Sequence, residues 1–305
     1  MAKPRLPRPL RGIIPPMITP LSGPDTLDLP GLERLVEHVL AGGVHGLFVL
    51  GTTGEAPSLS HELREDLVRR VCGQVGGRVP VLVGITDTAF GESLRMAETA
   101  CDAGAAGLVL APPYYFAAGQ PELLEYIGHL CEKLPLPLFL YNMPSHTKVV
   151  FEPDTVRQAA AIPGVVGLKD SGGDMTYFHR VHAALRSRRD FSLLIGPEML
   201  LAEAVLFGAH GGVCGGANVA PRLFVELWEA ARDGRLARVR ALQEKVMALS
   251  ALYAVGRYGS SYLKGLKCAL SCMGICDDFL AEPFHRFRPP ERRAIAKRLR
   301  ALRIS

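Results

Sequence analysis

Along residues 12–220, short runs of consecutive apolar residues alternate with longer segments whose apolar positions recur every three or four residues. Runs with almost no polar positions are the signature of strands covered on both faces, while the three-to-four spacing is that of helices with one buried stripe. The strand candidates are residues 12–19, 46–51, 79–85, 106–112, 137–143, 165–170, 191–196 and 211–215. Between the first two, Leu32, Leu35, Val36, Val39 and Leu40 form a single stripe that Gly42 and Gly43 close at the C-cap. Ser60 is placed to cap the next helix, with Glu62 in its first turn at the positive end of the helix dipole. Strand–helix alternation of this kind predicts an α/β fold, a (β/α)8 TIM barrel over residues 1–220. A doubly wound open sheet is the structural alternative, but the first turn lacks the glycine fingerprint of a dinucleotide site. From Pro221 onward the pattern is helical only, with Leu223, Leu227, Val239, Leu242 and Val246 as its apolar positions. Residues 221–305 are therefore expected to be a C-terminal helical extension packed on the barrel or on a neighbouring subunit.

Composition narrows the class without naming a function. The chain has 305 residues, of which 48% are hydrophobic and 21% charged, the profile of an ordinary soluble globular protein. Its seven cysteines lack the short paired spacings of a disulfide framework or zinc knuckle, which suits a reducing cytoplasm. The basic, proline-rich stretch 1–9 is followed by no apolar signal core, and no apolar stretch is long enough to span a bilayer. Neither export nor a membrane partner is expected. The net charge of +5 is concentrated near the end, at Arg286, Arg288, Arg292, Arg293, Lys297, Arg298, Arg300 and Arg303. No aromatic residue interleaves with these after Phe287, so the stretch reads as a solvated helix face and no nucleic-acid partner is expected.

Chemistry enters at Lys169, which ends the apolar run Val165-Val166-Gly167-Leu168-Lys169-Asp170. Burial disfavours an ammonium, so a lysine kept in such a run is a candidate neutral nucleophile able to form a Schiff base with a ketone. The alternative is a lysine that snorkels to solvent or pairs with Asp170. Barrel enzymes carry their chemistry at the C-terminal ends of strands. There the second strand runs into Gly51-Thr52-Thr53-Gly54-Glu55, either a nest for a small carboxylate or a tight turn with locally satisfied threonines. The fifth ends in Tyr141-Asn142-Met143-Pro144, where alternation puts Phe139, Tyr141 and Met143 on one face. Tyr141 can thus face the barrel interior beside Lys169, as a proton-transferring phenol or as a core tyrosine. Cys268, Cys272 and Cys276 recur at helical spacing and read as a buried helix face rather than a metal site. Gly215-Gly216-Ala217-Asn218 follows the eighth strand and is read as room for substrate. Glu55, Asp87, Asp170 and Glu198 also fall near strand ends, leaving open a metal-dependent lyase. A barrel that senses 2-keto acids without turnover is a further alternative.

The four segments Gly51-Thr52-Thr53-Gly54-Glu55, Pro113-Tyr114-Tyr115, Tyr141-Asn142-Met143-Pro144 and Gly167-Leu168-Lys169-Asp170 resemble the dihydrodipicolinate synthase and N-acetylneuraminate lyase family of class I aldolases, across the whole chain. The resemblance implies that Lys169 forms the Schiff base with pyruvate or a 2-keto acid and that Tyr141 moves protons. It implies that Thr52, Thr53 and Gly54 hold the pyruvyl carboxylate, and that Thr53 links Tyr141 to a second tyrosine. That tyrosine is Tyr115, expected to reach in from a neighbouring subunit of a homotetramer built as a dimer of dimers. The backbone at Val213 is expected near the lysine. No cofactor and no metal are implied.

For substrate, the resemblance divides. In the lysine-biosynthesis branch an arginine after the Tyr-Asn-x-Pro motif grips aspartate semialdehyde; this chain has His146 there, without arginine's bidentate fork. The Lys169-Asp170-Ser171-Gly172-Gly173-Asp174 run is closer to members that cleave or dehydrate 2-keto-3-deoxy sugar acids. Dihydrodipicolinate synthase activity stands as the alternative. Of the family's lysine-feedback pocket, His61, Tyr114 and Glu92 match whereas Arg64 and Thr88 do not, so feedback by lysine is not expected.

Overall fold

The computed structural model describes residues 6–303. Residues 1–5, part of the basic N-terminal stretch, lie outside the described residues, as do 304 and 305.

Eight parallel strands form one curled sheet: β1 (Gly12–Ile13), β4 (Leu47–Val49), β5 (Val81–Gly84), β6 (Gly107–Leu110), β7 (Leu138–Asn142), β8 (Val165–Asp170), β9 (Ser192–Ile195) and β10 (Gly211–Gly212). β2 (Leu21–Gly23) and β3 (Thr26–Leu27) make a small antiparallel hairpin over one end, an element absent from the expected pattern. The barrel closes where the chain beyond β1 meets β4, through Phe48 N to Pro15 O (2.9 Å) and Met17 N to Phe48 O (2.8 Å). Each strand lies inside its predicted range, and the first is much shorter. Pro15 and Pro16 have no N–H for a ladder, so residues 14–17 contribute separate closing bonds instead of continuous strand.

Helices α1 (Leu29–Ala41), α2 (His61–Val75), α3 (Phe90–Asp102), α4 (Gln120–Cys131), α5 (Pro144–Thr147), α6 (Pro153–Ala159), α7 (Met175–Ala184) and α8 (Leu201–Leu206) lie between the strands. Ser60 caps α2 as expected, accepting from Leu63 N, and Asp28 does the same for α1. After β10 come α9 (Pro221–Arg232), α10 (Leu236–Ser250), α11 (Ser261–Cys272) and α12 (Pro289–Leu302). The expected division at residue 220 falls just before α9, and this helix packs on β1: the Trp228 indole donates to His210 O (3.1 Å) and its ring meets His45 edge-on. The basic C-terminal stretch is partly neutralised, because Arg286 pairs with Asp277 and Arg292 with Asp278.

Alternation along the strands divides the core in two. Ile14, Phe48, Leu82, Val109, Phe139, Tyr141 and Leu194 fill the barrel interior, while Leu138, Leu140 and Leu168 join the larger layer beneath the helices. The pairing of β7 with β8 contains a register shift: Leu138 faces Val165, but Phe139 faces Gly167. The extra residue, Val166, puts Lys169 opposite Tyr141 and turns the lysine to the inward face that Tyr141 already shares with Phe139. Gly167 fits this shift, since a Cβ there would lie 2.4 Å from the Phe139 ring.

Candidate active site

Lys169 sits at the C-terminal end of β8 with only 5% of its surface exposed. Its nitrogen lies 3.9 Å from the Tyr141 ring centroid and 5.0 Å from that of Phe48. The expected alternative partner faces elsewhere. Asp170 Oδ1 accepts from Asn142 Nδ2 and from Gly172 N, both at 2.9 Å, and burial holds this carboxyl above the ordinary aspartate range. Lys169 therefore meets aromatic faces, while its sequence neighbour anchors the β7 and β8 ends.

A cavity of about 530 Å³ opens above the lysine, within the range of small-molecule sites. Thr52, Thr53, Tyr141, His146, Lys169 and Val213 all line it. Thr52 Oγ1 lies 3.3 Å from the Tyr141 hydroxyl, so Thr52, rather than Thr53 as the resemblance implied, is the threonine on the phenol. Thr53 instead bonds Tyr262 Oη at 3.2 Å. Gly54 does not reach the cavity: its N–H donates to Gly51 O and its carbonyl accepts from Thr19 Oγ1. The loop turns through left-handed backbone at Leu50 and Glu55.

Tyr115 also lies away from this cavity within the chain, at 79% exposure and stacked edge-on with the equally exposed Phe116. His146 stands at the rim, its ring held below the usual histidine range by desolvation and by Lys148, with Ser145 Oγ 2.9 Å from Nδ1. It meets a ligand as a neutral ring at physiological pH.

Behind the threonine loop, Glu55 and Lys267 form an ion pair in which each side chain is 1% exposed. Lys267 also donates to Phe279 O (2.6 Å), and Glu55 Oε2 accepts from Ala281 N (2.9 Å). The C-terminal extension thus grips the loop that carries Thr52 and Thr53. It also supplies a cavity wall that sequence reasoning missed, made of Tyr253, Ser260, Tyr262, Leu263 and Phe284. Opposite β10, Glu198 accepts from the Tyr253 hydroxyl and from Gly216 N, both at 2.6 Å. The glycines read as substrate room have a different use. A Cβ on Gly215 would lie 1.7 Å from Tyr262 Oη, and one on Gly216 would lie 2.8 Å from Glu198 Oε1. Glycine at these two positions admits the phenol and the carboxyl, and such a pair was the available clue to bulky neighbours.

The four acids considered for a metal do not converge. Glu55 pairs with Lys267, Asp87 with His61 and Arg64, Asp170 with Asn142, and Glu198 with Tyr253. Among the described residues no cluster of three or more histidine, cysteine or acidic side chains could hold a metal ion. No helix among them is long and apolar enough to cross a membrane.

Comparison with known proteins agrees with this architecture. Residues 9–302 match the family described as Dihydrodipicolinate synthetase family. The chain is 33% identical over 241 residues to 4-hydroxy-tetrahydrodipicolinate synthase of Pseudomonas putida (strain W619), covering 79% of this chain and 82% of that protein. It is 35% identical over 276 residues to the synthase of the same name from Ruegeria pomeroyi, covering 90% and 92%. The structure of dihydrodipicolinate synthase from the commensal bacterium Bacteroides thetaiotaomicron matches with TM-score 0.94 at 57% identity, covering 96% and 99% of the two chains. A prophage protein of the dihydrodipicolinic acid synthase family from E. coli K12, solved with pyruvate, matches with TM-score 0.91 at 28% identity over 97% and 99%.

Proposed function

The chain belongs to the dihydrodipicolinate synthetase family, a class I aldolase family of carbon–carbon lyases, and from that premise we propose that it cleaves or dehydrates a 2-keto-3-deoxy sugar acid through a Schiff base on Lys169. One observation carries the reading: the Lys169 nitrogen and the Tyr141 phenol share a single cavity, and the phenol is bonded to the Thr52 hydroxyl. A buried amine without a carboxylate partner is suited to act as a nucleophile.

Lys169 adds to the ketone carbon of a 2-keto acid. Tyr141, with Thr52 behind it, passes protons as water leaves and the iminium forms. Tyr141 then takes the C4 hydroxyl proton as the iminium withdraws the electrons of the C3–C4 bond; the aldehyde leaves, and the enamine of pyruvate is protonated at C3 and its imine hydrolysed by water to free the lysine. Thr53 and the neighbouring backbone hold the carboxylate and fix the reacting geometry. Tyr115 enters this scheme only from a second copy of the chain, because in its own chain it lies outside the cavity.

The substrate assignment rests on the wall around the distal end. Ser171, Ser260 and Tyr262 offer hydroxyls, Glu198 an acid, and His146 a neutral ring. Hydroxyls and neutral rings match a polyhydroxy chain; a second carboxylate asks for a cation. The alternative is condensation of pyruvate with aspartate semialdehyde, the activity that the relatives' names carry. Kinetics on both reactions separate the two. Release of pyruvate from 2-keto-3-deoxy sugar acids should exceed, in kcat/KM, condensation with aspartate semialdehyde by about tenfold or more, a difference of about 1.4 kcal/mol. The reverse order assigns the site to the synthase reaction. Placement in the cytoplasm and a dimer-of-dimers assembly belong to the same proposal.

A further inference from the structure

Thr53 is the threonine that the site gives to the keto-acid carboxylate, yet its hydroxyl is joined to the C-terminal extension. Its Oγ1 lies 3.2 Å from Oη of Tyr262, in the first turn of α11, and both side chains line the cavity. Among the described residues neither hydroxyl has a second hydrogen-bond partner. The fold makes room for this contact. Gly215 stands in the turn after β10, where a Cβ would lie 1.7 Å from Tyr262 Oη, so a larger residue there would push the phenol away. On another side the Tyr262 ring meets Tyr253 edge-on, 4.9 Å between centroids, and Tyr253 is itself fixed by Glu198. Further along α11, Lys267 ties the same helix to Glu55 in the threonine loop. A tyrosine that only fills a wall can end on a backbone carbonyl, as Tyr177 does on Phe151 O. Tyr262 ends instead on a hydroxyl, a group that can pass the hydrogen bond on to a ligand.

We infer that Tyr262 is a positioning residue for carboxylate recognition: its O–H donates to Thr53 Oγ1 and leaves the Thr53 proton free for the carboxylate of the keto acid on Lys169. This rests on the reading of Thr53 given above and extends the carboxylate subsite into the C-terminal helices. A hydroxyl has one proton and two lone pairs. With Thr53 donating to the phenol, an anion in the cavity would meet only lone pairs at Thr53. With the phenol donating, the anion meets a proton, and the bond behind Thr53 polarises its O–H and strengthens the contact. Burial pushes the Tyr262 phenol above the ordinary tyrosine range, so it keeps its proton and its capacity to donate throughout the neutral range. Tyr141 takes no part in this arrangement, because its hydroxyl is bonded to Thr52.

The test follows borohydride trapping of pyruvate on Lys169 against pyruvate concentration in wild type, Tyr262→Phe, Thr53→Val and the double variant, each shown folded by circular dichroism. Tyr262→Phe should raise the half-saturating pyruvate concentration about three- to tenfold, the weight of one hydrogen bond, and keep the maximal trapping rate within about twofold. Thr53→Val should raise half-saturation at least as far. Adding Tyr262→Phe to Thr53→Val should then change it by less than about twofold, since the phenol acts only through that threonine. Gly215→Ala, whose methyl would take the place of the phenol oxygen, should reproduce Tyr262→Phe. Unchanged half-saturation in Tyr262→Phe overturns the inference, as does an equal rise in the Thr53→Val background or a loss confined to the maximal rate. If Tyr262→Phe does not fold, Gly215→Ala replaces it in both backgrounds under the same criteria. Wild type that traps pyruvate beside a Thr53→Val with unmoved half-saturation removes the carboxylate role of Thr53, and this inference with it, while the Schiff base stands. A wild type that traps no pyruvate overturns the lyase reading itself.

Discussion

Tyr141 and Lys169 are direct partners in the parallel ladder between β7 and β8, and the Lys169 nitrogen rests 3.9 Å from the centre of the Tyr141 ring. Lys169 could not occupy that place without the register shift at Val166, because a one-residue slip sends a strand side chain to the opposite face, whereas alternation along β7 alone turns Tyr141 inward. The pairing makes the phenol and the amine a unit. Tyr141→Phe keeps the ring and loses the proton carrier, so kcat should fall ~10²–10³-fold with little change in melting temperature.

The two threonines should separate in steady-state kinetics. Thr52 holds the Tyr141 hydroxyl and Thr53 holds Tyr262. Thr52→Val should therefore lower kcat about tenfold or more. Thr53→Val should act mainly on KM for the keto acid. Equal effects on kcat from both substitutions would count against Thr52 as the partner of the phenol.

The Glu55–Lys267 pair links the threonine loop to the C-terminal extension in a site closed to water. Removing one member leaves an uncompensated buried charge, so Lys267→Met should lower stability by about 3–5 kcal/mol in urea titration. Adding Glu55→Gln to Lys267→Met should recover part of that loss. A double variant less stable than the single one would contradict the ion-pair account.

Subunit complementation tests whether Tyr115 acts in trans. Lys169→Ala and Tyr115→Phe are each expected to be nearly inactive, and mixed subunits should recover activity if one site takes its lysine and its second tyrosine from different chains. No recovery after exchange confirmed by native mass spectrometry would place Tyr115 outside the site.

Acid sensitivity should trace in part to His210. Desolvation is the main cause holding its ring down to about 4, and its Nδ1 accepts from Leu193 N, a bond that protonation abolishes. The unfolded chain takes up that proton near pH 6.5, so His210 stabilises the fold above this value and ceases to do so as pH falls towards about 4. Allowing for its partial contact with solvent, the loss is about 1–2 kcal/mol. Urea titrations at pH 7 and pH 4.5 should show a smaller difference for His210→Gln than for wild type.

Much of the barrel was legible because a strand buried on both faces leaves an unbroken apolar run, and each such run was bounded by glycine or proline. The β2–β3 hairpin was not, since Leu21 and Leu27 are its only large apolar residues and the polar positions around them resemble any loop. Lys169 could be found from its place at the end of an apolar run and Tyr141 from strand alternation. The assignment of Thr52 could not, because two adjacent threonines read alike and only the three-dimensional path of the loop sets which hydroxyl meets Tyr141 and which meets Tyr262. Glu198 was read only as a possible metal ligand, and Tyr253 and Tyr262 were missed for another reason: they meet the barrel mouth from a segment far away in sequence, and a helical tail carries no local sign of which tyrosine reaches a cavity.

The central claim is the covalent bond between Lys169 and a keto acid, and intact mass after borohydride reduction with pyruvate tests it directly. Wild type should gain the mass of one reduced pyruvyl group per chain, lost in Lys169→Arg and unchanged by a chelator. A wild type without the adduct, or an adduct retained by Lys169→Arg, would contradict the account.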